Sequence, residues 1–233
     1  MSRKTYGSPR VHAELLGRGF RASENRVARL MRAEHICARR KTKHRKTTDS
    51  NHGYPVAPNL LQQVFEAQQP NEKWLVDITY IWTAEGWLYL AAVLDLFSRK
   101  IVGWAMEETL ATCLVEKAFL MAIQSRKPPA GLLHHSDQGS QYAGETYQLH
   151  LTANHMQVSM SRTGNCYDNA PMESFFSTLK IEQAHFQNYE SRKEAKSDIF
   201  FYIEGFYNRI RRHSSLGYLS PEDFERQYYE NLA

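Results

Sequence analysis

With 233 residues, 42% of them hydrophobic and 12% aromatic, the chain can bury a substantial core, which excludes a mainly disordered protein. No apolar run approaches the length of about 18 residues that spans a membrane, and the start of the chain lacks the apolar core of a secretory signal. Residues 1–50 hold 14 Lys/Arg against four acidic residues, whereas the rest of the chain holds 15 against 21. This asymmetry points to a polyanionic partner, with nucleic acid first in line.

Three cysteines, Cys37, Cys113 and Cys166, are far apart in the sequence. Their number and spacing exclude a Cys-based zinc motif and fit a reducing cytoplasm.

The basic end begins with two predicted helices joined by a glycine turn. The first covers residues 8–19, where Val11 and Leu15 follow helical spacing until glycines break the pattern. Ser23 is a suitable N-cap for the second helix. Such a pair, in a module over residues 1–36, fits a small helix-turn-helix.

The second helix has an apolar stripe formed by Val27, Leu30 and Met31. Because Arg26 and Arg29 lie off this stripe, we expect both to contact DNA, where guanidinium groups bind phosphates and guanine edges. The alternative is a helical hairpin that only packs against the main domain.

A basic linker is predicted over residues 37–69. Its most charged stretch, residues 38–50, has no aromatic residue and no periodicity, which is typical of a flexible segment that grips phosphates non-specifically. The domain that follows, over residues 70–228, is expected to have its own core and to fold without the basic end.

This domain has the pattern of an α/β fold with a mixed sheet. Strands are predicted at 73–82, 87–97, 101–107, 131–136 and 156–161. Helices are predicted at about 112–125, 140–153, 170–184 and 191–207, the second of them capped by Ser140. Three antiparallel strands followed by alternating helices and strands imply helices on the faces of the sheet.

Three carboxylates stand at positions that suit a metal site. Asp77 interrupts a strongly apolar strand, Asp137 follows a short strand in HHSDQGSQY, and Glu173 lies in the first turn of a helix. Each also has an ordinary explanation. Asp77 would bond to the backbone or to an arginine, Asp137 would be a turn aspartate, and Glu173 would be favoured by the helix dipole. Carboxylate oxygens are the ligands that hard divalent cations prefer.

Four segments carry a family resemblance: WLVDITYIWTAEGWLYLAAVLDLFSRKIVGWA, HHSDQGSQY, SMSRTGNCYDNAPMESFFSTLKIE and YNRIRRHSSLGYLSPEDFE. They resemble the DDE transposases and retroviral-type integrases, which have an RNase H-like catalytic core. More narrowly, they look like the second-frame product of insertion-sequence transposases of the group numbered three. The likeness covers about residues 5–36 and 70–225. Gln138 and Met172 depart from the pattern of this group without touching a carboxylate.

The resemblance implies a transposase catalytic subunit that cleaves DNA strands and transfers them. Asp77, Asp137 and Glu173 would hold two Mg²⁺ (or Mn²⁺) ions. The implied partners are DNA (element ends and target), the first-frame product and further copies of the chain on DNA, in the bacterial cytoplasm at the nucleoid. Two alternatives remain: a metal-dependent nuclease of the same fold, and a non-catalytic DNA-binding regulator.

Other polar residues, Ser140 and Asn169 among them, are expected to support this site. Lys180 shares a helix face with Glu173 and is expected to hold DNA phosphate beside it, with a solvated surface lysine as the equal alternative. Arg162, in the loop 162–167, is a candidate for gripping DNA near the scissile phosphate. His135, like its neighbour His134, is expected to stay neutral and to orient the strand end.

Several polar side chains have expected roles within the structure. Asp168 and Asn169 are expected to cap the Glu173 helix, and Asp95 to organise a turn with Ser98. For the RIRRH run (209–213), phosphate contact and salt bridges to the acidic body are equally compatible with the sequence.

Overall fold

The computed structural model describes residues 5–38 and 53–232. Residues 39–52 of the predicted basic linker therefore lie outside the described residues, and of its most charged stretch only Ala38 is included. No helix in these two described ranges is long and apolar enough to cross a membrane.

The predicted helix pair is present near the N-terminus as α1 (Ser8–Gly17) and α2 (Glu24–Ala33). Between the helices, Gly19 has a φ of +81°, a conformation that favours glycine. Ser23 caps α2 as predicted, because its hydroxyl oxygen accepts a hydrogen bond from the Arg26 amide.

One mixed sheet forms the centre of the fold. Its strands are β1 (Lys73–Thr83), β2 (Gly86–Asp95), β3 (Ile101–Glu107), β4 (Leu133–Ser136) and β5 (Gln157–Met160). They lie in the order β3-β2-β1-β4-β5, with antiparallel pairing among β1, β2 and β3 and parallel pairing of β4 with β1 and of β5 with β4. The predicted α/β class and the mixed sheet are confirmed.

Helices cover both faces of this sheet. They are α3 (Thr112–Arg126), α4 (Ser140–Ala143), α5 (Glu145–Ala153), α6 (Ala170–Glu182), α7 (Arg192–Phe200) and α8 (Pro221–Glu230). On one face α3 approaches β3 so closely that a Cβ atom at Gly103 would lie 2.2 Å from the Ala118 carbonyl oxygen. This contact explains why a glycine interrupts an otherwise apolar strand.

Alternation along β1 divides the core into two layers. The even-numbered β1 residues Trp74 and Val76 pack on the α3 and α5 side, with Leu114, Phe119 and Tyr147. The odd-numbered β1 residues Leu75 and Ile81 pack on the α6 and α7 side, with Phe175, Leu179 and Ile199. Because side chains alternate across a strand, Asp77 lies on the same face as Leu75, towards α6.

Two predicted helices differ from the structure. The helix expected over 140–153 is interrupted at Gly144, whose ψ of 144° is extended. Ser140 does not cap it, since Gly139 occupies the N-cap position and no side chain bonds to the helix end there. The helix expected over 191–207 leaves α geometry after α7 and continues as a π-helix, Phe201–Tyr207.

The expectation of a separate core beyond residue 70 is wrong. Tyr6 and Leu61 are buried in the same core as β1. The amides of Leu60 and Leu61 also donate to the Ser159 hydroxyl on β5, over 2.9 and 3.3 Å. The segment before β1 is therefore part of the folded body.

The apolar stripe of α2 is narrower than predicted. Val27 and Met31 are buried, but Leu30 is 53% exposed, because the helix packs through its i and i+4 positions only. Arg26 and Arg29 are exposed, as expected for residues off the stripe.

Candidate active site

Parallel pairing of β1 with β4 brings two of the three carboxylates together. The register aligns Leu75 with His135, so the same register continued by two residues places Asp77 beside Asp137. Neighbouring strands are about 4.8 Å apart. Because side chains alternate between the two faces of a sheet, both acids are expected on the face towards α6, where Leu75 lies. The sheet thus places side by side two acids that are far apart in the chain.

Asp137 is fixed by the turn that follows β4. Its Oδ1 accepts a hydrogen bond from the Gly139 amide over 2.9 Å. A Cβ atom at position 139 would lie only 3.0 Å from that oxygen, so glycine leaves room for the carboxylate. Ser140 follows this turn directly and is exposed at the start of α4. Its predicted supporting role at the site stays a prediction.

Glu173 reaches the same region from the first turn of α6. The start of this helix is attached to β1 by Asn169, whose Nδ2 donates to the Val76 carbonyl over 3.2 Å. Val76 immediately precedes Asp77. Asn169 occupies the N-cap position of α6, as predicted, but its side chain holds the helix against the strand instead of bonding to the helix end.

The three carboxylates act on one another electrostatically. Burial raises the pKa of Asp77 well above its usual value, and repulsion from Asp137 raises it further. Glu173 acts in the same direction, more weakly. The Ile78 amide, which donates to Asp77 Oδ1 over 2.8 Å, opposes the rise, as does the charge of Lys180. Although only half-buried by surface area, Asp77 therefore lies in a crowded, negatively charged environment.

A buried hydroxyl lies beside these acids. Tyr142, on α4, is packed in the α3-side core, and within the described part of the chain its hydroxyl has no hydrogen-bonding partner. Burial raises the pKa of Tyr142 well above its usual value, and the charges of Asp77 and Asp137 add to this effect. Sequence reasoning missed this residue, because a tyrosine at an apolar position gives no sign of which groups its hydroxyl lies near in the folded chain.

The chemistry of this site fits a hard divalent cation. The carboxylates offer oxygen ligands only, a cation would relieve their repulsion, and the Tyr142 hydroxyl could donate to a water or carboxylate there. Among the described residues, however, no group of three or more His, Cys, Asp or Glu side chains is arranged to hold a metal ion. Glu173 is exposed, so the ligand set is open on the α6 side.

His135 is a neutral, buried residue under the site, as expected. Its Nδ1 and Nε2 lie 2.8 and 3.0 Å from the hydroxyls of Ser159 and Ser161. Because the Ser159 oxygen already accepts two backbone amides, its own proton goes to Nδ1, and Nε2–H then donates to Ser161. Burial lowers the pKa of His135 to about 4.

His134 faces the other core layer. Its Nε2 lies 2.9 Å from the Tyr147 hydroxyl, and burial lowers its pKa to about 3. Both histidines therefore support the end of β4 without reaching the carboxylates.

Lys180 lies near the site but also packs against an aromatic ring. Its Nζ is 4.7 Å from the centre of the Tyr80 ring. Burial lowers the pKa of Lys180, and the negative charge of Asp77 acts in the opposite direction. This places a cation between β1 and α6, on the side of Asp77.

Arg162 and Asp168 form an ion pair within the loop before α6. Arg162 Nη2 donates to Asp168 Oδ1 over 2.7 Å, and Asn59 and Gln63 also donate to this carboxylate. Asp168 therefore does not cap α6, contrary to the prediction: its carboxylate is committed to the loop and to the segment before β1. Arg162 still exposes 60% of its side chain, so its contact with DNA stays a prediction.

The RIRRH run (209–213) forms salt bridges, one of the two roles that its sequence allows. Arg211 is buried against Glu182 at 2.9 Å, and Arg212 donates to Glu14 of α1 over 2.6 Å. Exposed Arg209 lies 3.4 Å from Glu222.

Asp95 and Ser98 both organise the turn after β2, as predicted. Asp95 Oδ1 accepts from the Phe97 amide over 3.0 Å, and its Oδ2 accepts from Asn71. The Ser98 hydroxyl accepts from the Lys100 amide over 3.3 Å and donates to Glu225 of α8. Asp95 and Glu225 share the guanidinium of Arg126, so this cluster is structural.

Comparison with known proteins matches both parts of the chain. An HTH-like domain family matches residues 1–44, and two integrase core domain families match residues 67–166 and 154–221. The solved structures show a related fold at low sequence identity. The simian T-cell lymphotropic virus intasome, in complex with a PP2A regulatory subunit, has a TM-score of 0.57 at 16% identity, covering 91% of this chain and 69% of that one. The catalytic core domain of BIV integrase has a TM-score of 0.52 at 17% identity, covering 69% and 97%.

Curated relatives are much closer in sequence. The insertion element IS600 31 kDa protein of Shigella sonnei is 48% identical over 232 residues, covering 100% of this chain and 85% of that protein. Transposase InsF for insertion sequence IS3A of Escherichia coli K12 is 44% identical over 232 residues, covering 100% and 80%. The chain therefore belongs to the IS3 group of insertion-sequence transposases, polynucleotidyl transferases with an integrase core that act in DNA transposition and integration.

Proposed function

We propose that Asp77, Asp137 and Glu173 are the catalytic carboxylates of this transposase and hold two Mg²⁺ (or Mn²⁺) ions. The observation that carries the proposal is the parallel register of β1 and β4, which aligns Leu75 with His135 two residues before Asp77 and Asp137 and so brings the two carboxylates within electrostatic reach of each other. The catalytic core domain of HTLV-2 integrase, which has the same fold at 16% identity and a TM-score of 0.51, has been solved with magnesium.

When bound, a pair of divalent ions activates the attacking oxygen of water or of a 3′-hydroxyl and stabilises the leaving oxygen. Asp77 and Asp137 are fixed by hydrogen bonds from the Ile78 and Gly139 amides, so they form the rigid part of the site. Glu173 is exposed and completes the ligand set by turning towards them. No covalent intermediate with the enzyme is needed.

The neighbouring basic groups would place the DNA. Lys180 lies on the side of Asp77 and can contact a phosphate beside the reacting oxygen. Arg162 is exposed in the loop that leads to α6. Arg26 and Arg29 extend the basic surface onto α2, at a distance from the carboxylates along the chain.

The wider assembly also belongs to this proposal. The substrate is the DNA of the element ends and the target, in the cytoplasm at the nucleoid. Joining two ends requires more than one copy of the chain, and the first-frame product supplies end selection. In support, Arg and Lys contacts to phosphate give affinity with little sequence choice.

The test is to incubate the protein with candidate element ends and Mg²⁺, with and without the first-frame product, and to map the DNA products. A transposase yields cut ends and joined products that disappear with a chelator. Release of fragments without joining would identify a nuclease, and binding without cleavage a regulator. A sharp footprint from the chain without its partner would refute the role of the first-frame product.

A further inference from the structure

A cavity of about 320 Å³ lies on the flank of α6 next to Glu173, where the first helix approaches the catalytic body. Its wall includes Ser174, which follows Glu173 directly, and residues from three distant parts of the chain. The polar groups that line it include Arg10, Arg99, Ser174, Arg211, His213 and Ser215. None of these residues belongs to the carboxylate site.

Positive charge in this cavity exceeds the negative charge that offsets it. Arg211 is committed to Glu182, with Nε and Nη2 both donating over 2.9 Å. Arg10 reaches the same carboxylate only at 3.7 Å. Arg99 forms no salt bridge among the described residues, and it donates a hydrogen bond of 3.2 Å to the Phe65 carbonyl. In the described part of the chain, Arg10 and Arg211 therefore share the Glu182 carboxylate, whereas Arg99 feels only the negative charge of Asp95, which is itself paired with Arg126.

The arginines converge on the cavity rather than diverging into solvent. Burial lowers the pKa of His213 well below its usual value, and the charges of Arg211, Arg10 and Arg99 all lower it further. The Nε2 of His213 lies 3.4 Å from an Arg211 N–H group and accepts from it. The remaining proton of the neutral imidazole is therefore on Nδ1, which leaves a donor and no positive charge.

Burial also lowers the pKa values of two of the arginines. For Arg10, repulsion from Arg211 adds to this effect. For Arg99, burial is the largest cause. Guanidinium groups remain protonated in proteins, so the repulsion is a cost that a bound anion would offset.

We propose that this cavity binds a phosphate group of a DNA strand that passes along α6. Arg10 and Arg99 supply guanidinium N–H groups, whose fork matches the oxygens of a phosphate. The hydroxyls of Ser174 and Ser215 are exposed at the rim and add neutral donors. Because Ser174 adjoins Glu173, the bound phosphate would fix the strand beside the scissile position. The residues of the cavity indicate that its ligand is a phosphate group. That this phosphate belongs to DNA rests on the proposed function.

Two variants of the full chain test the pocket. Arg99→Gln removes a charge from the wall, and Ser215→Glu places a competing carboxylate at the exposed rim without removing an arginine. Arg226→Gln is the matched control, since it removes one charge from an exposed arginine of α8 outside the cavity. Arg99→Lys retains the charge and should preserve part of the phosphate and DNA binding. If it does, the loss in Arg99→Gln is due to the missing charge and not to misfolding.

The first measurement is the thermal unfolding midpoint in inorganic phosphate against chloride at matched ionic strength. The wild type and Arg226→Gln should gain stability from phosphate, and Arg99→Gln and Ser215→Glu should not. The second is the affinity for a DNA duplex by fluorescence anisotropy, where both pocket variants should bind about tenfold more weakly than Arg226→Gln.

Each other outcome decides against part of the proposal. Stabilisation by phosphate with unchanged DNA affinity in the pocket variants would overturn DNA as the source and assign a free phosphate. Equal loss of DNA affinity in Arg99→Gln and Arg226→Gln would overturn a defined pocket. A wild-type protein that joins DNA ends but gains nothing from phosphate refutes the pocket and leaves the catalytic proposal intact. A wild-type protein that is stabilised by phosphate but joins no DNA ends supports the pocket and refutes the catalytic proposal.

Discussion

Arg212 donates from its Nε to Glu14 Oε2 over 2.6 Å, and this bond joins residues 198 positions apart. The same guanidinium packs so tightly against α1 that a Cβ atom at Gly17 would lie 2.7 Å from its Nη2. Tyr6 adds to the contact, because its hydroxyl accepts from the Arg212 amide over 2.9 Å. The helix pair is therefore anchored to the body that contains the carboxylates, and the exposed arginines of α2 are held in a defined position relative to it.

Replacing Arg212 with Gln should loosen the helix pair. The Arg212–Glu14 pair is partly exposed, so we expect the unfolding free energy to fall by only about 1 kcal/mol. Hydrogen exchange of the amides in residues 5–38 should nevertheless increase. Arg18→Gln is the matched control, since Arg18, directly after α1, pairs with the same Glu14 but does not bridge to the body. Equal exchange in both variants would show that the bridge does not anchor the module.

Neutral substitutions at the carboxylates should separate catalysis from binding. We expect Asp77→Asn, Asp137→Asn and Glu173→Gln to abolish both cutting and joining, because each keeps the side-chain volume but removes a charge that holds the ions. DNA affinity should change little. Glu222→Gln, on exposed α8, is a control that should retain activity. Strong residual Mg²⁺-dependent joining in any of the three variants would remove that residue from the catalytic set.

Arg26 and Arg29 should contribute to DNA affinity through counterion release. Substituting both with Gln is expected to weaken binding and to reduce the slope of log K against log salt by about 0.9 for each phosphate that is no longer neutralised. Point substitution is preferable to deletion of residues 1–50, because that deletion would also remove buried Tyr6. An unchanged salt slope, measured by anisotropy titration, would show that this face of α2 contacts something other than DNA.

Acid should destabilise the protein through His135. Its pKa is about 4 in the folded chain against a usual value of 6.5, so the unfolded chain binds more protons between these two values. Stability from this residue is therefore complete above pH 6.5 and is lost as the pH falls towards 4, by roughly 3 kcal/mol in total. Buried His134 acts in the same sense. Urea unfolding at a series of pH values checks this, and a flat profile across this window would contradict the buried neutral state.

Tyr142→Phe should raise stability and weaken metal binding. The buried hydroxyl lacks a partner among the described residues, so its removal should increase the unfolding free energy of the metal-free protein by on the order of 1 kcal/mol. Mn²⁺ affinity, measured calorimetrically, should fall several-fold if this hydroxyl donates to the loaded site. Tyr147→Phe is the control: it loses a bond to His134, so it should lower stability and leave Mn²⁺ affinity unchanged. Unaltered Mn²⁺ affinity in Tyr142→Phe would make that hydroxyl irrelevant to the site.

Much of the fold follows from local patterns in the sequence. Apolar alternation and turn residues located all five strands of the sheet, and helical spacing located α3, α6 and the helix pair. These features depend on neighbours a few residues apart, so the chain encodes them without reference to the rest of the molecule. The spacing of Asp77, Asp137 and Glu173 within those elements likewise marked the family.

Only the tertiary structure decided which polar groups meet. Arg211 and Arg212 had two possible roles in the sequence, and the choice depends on Glu182 and Glu14, which come from distant parts of the chain. Asp168 and Ser140 occupy positions typical of helix caps but do not act as caps. For Asp168, ion pairing with Arg162 takes the place of a cap, and for Ser140 the helix begins with Gly139 at the N-cap. Such partnerships are set by the packing of the whole chain, because a charged group pairs with whatever the fold brings within about 4 Å, regardless of separation in sequence.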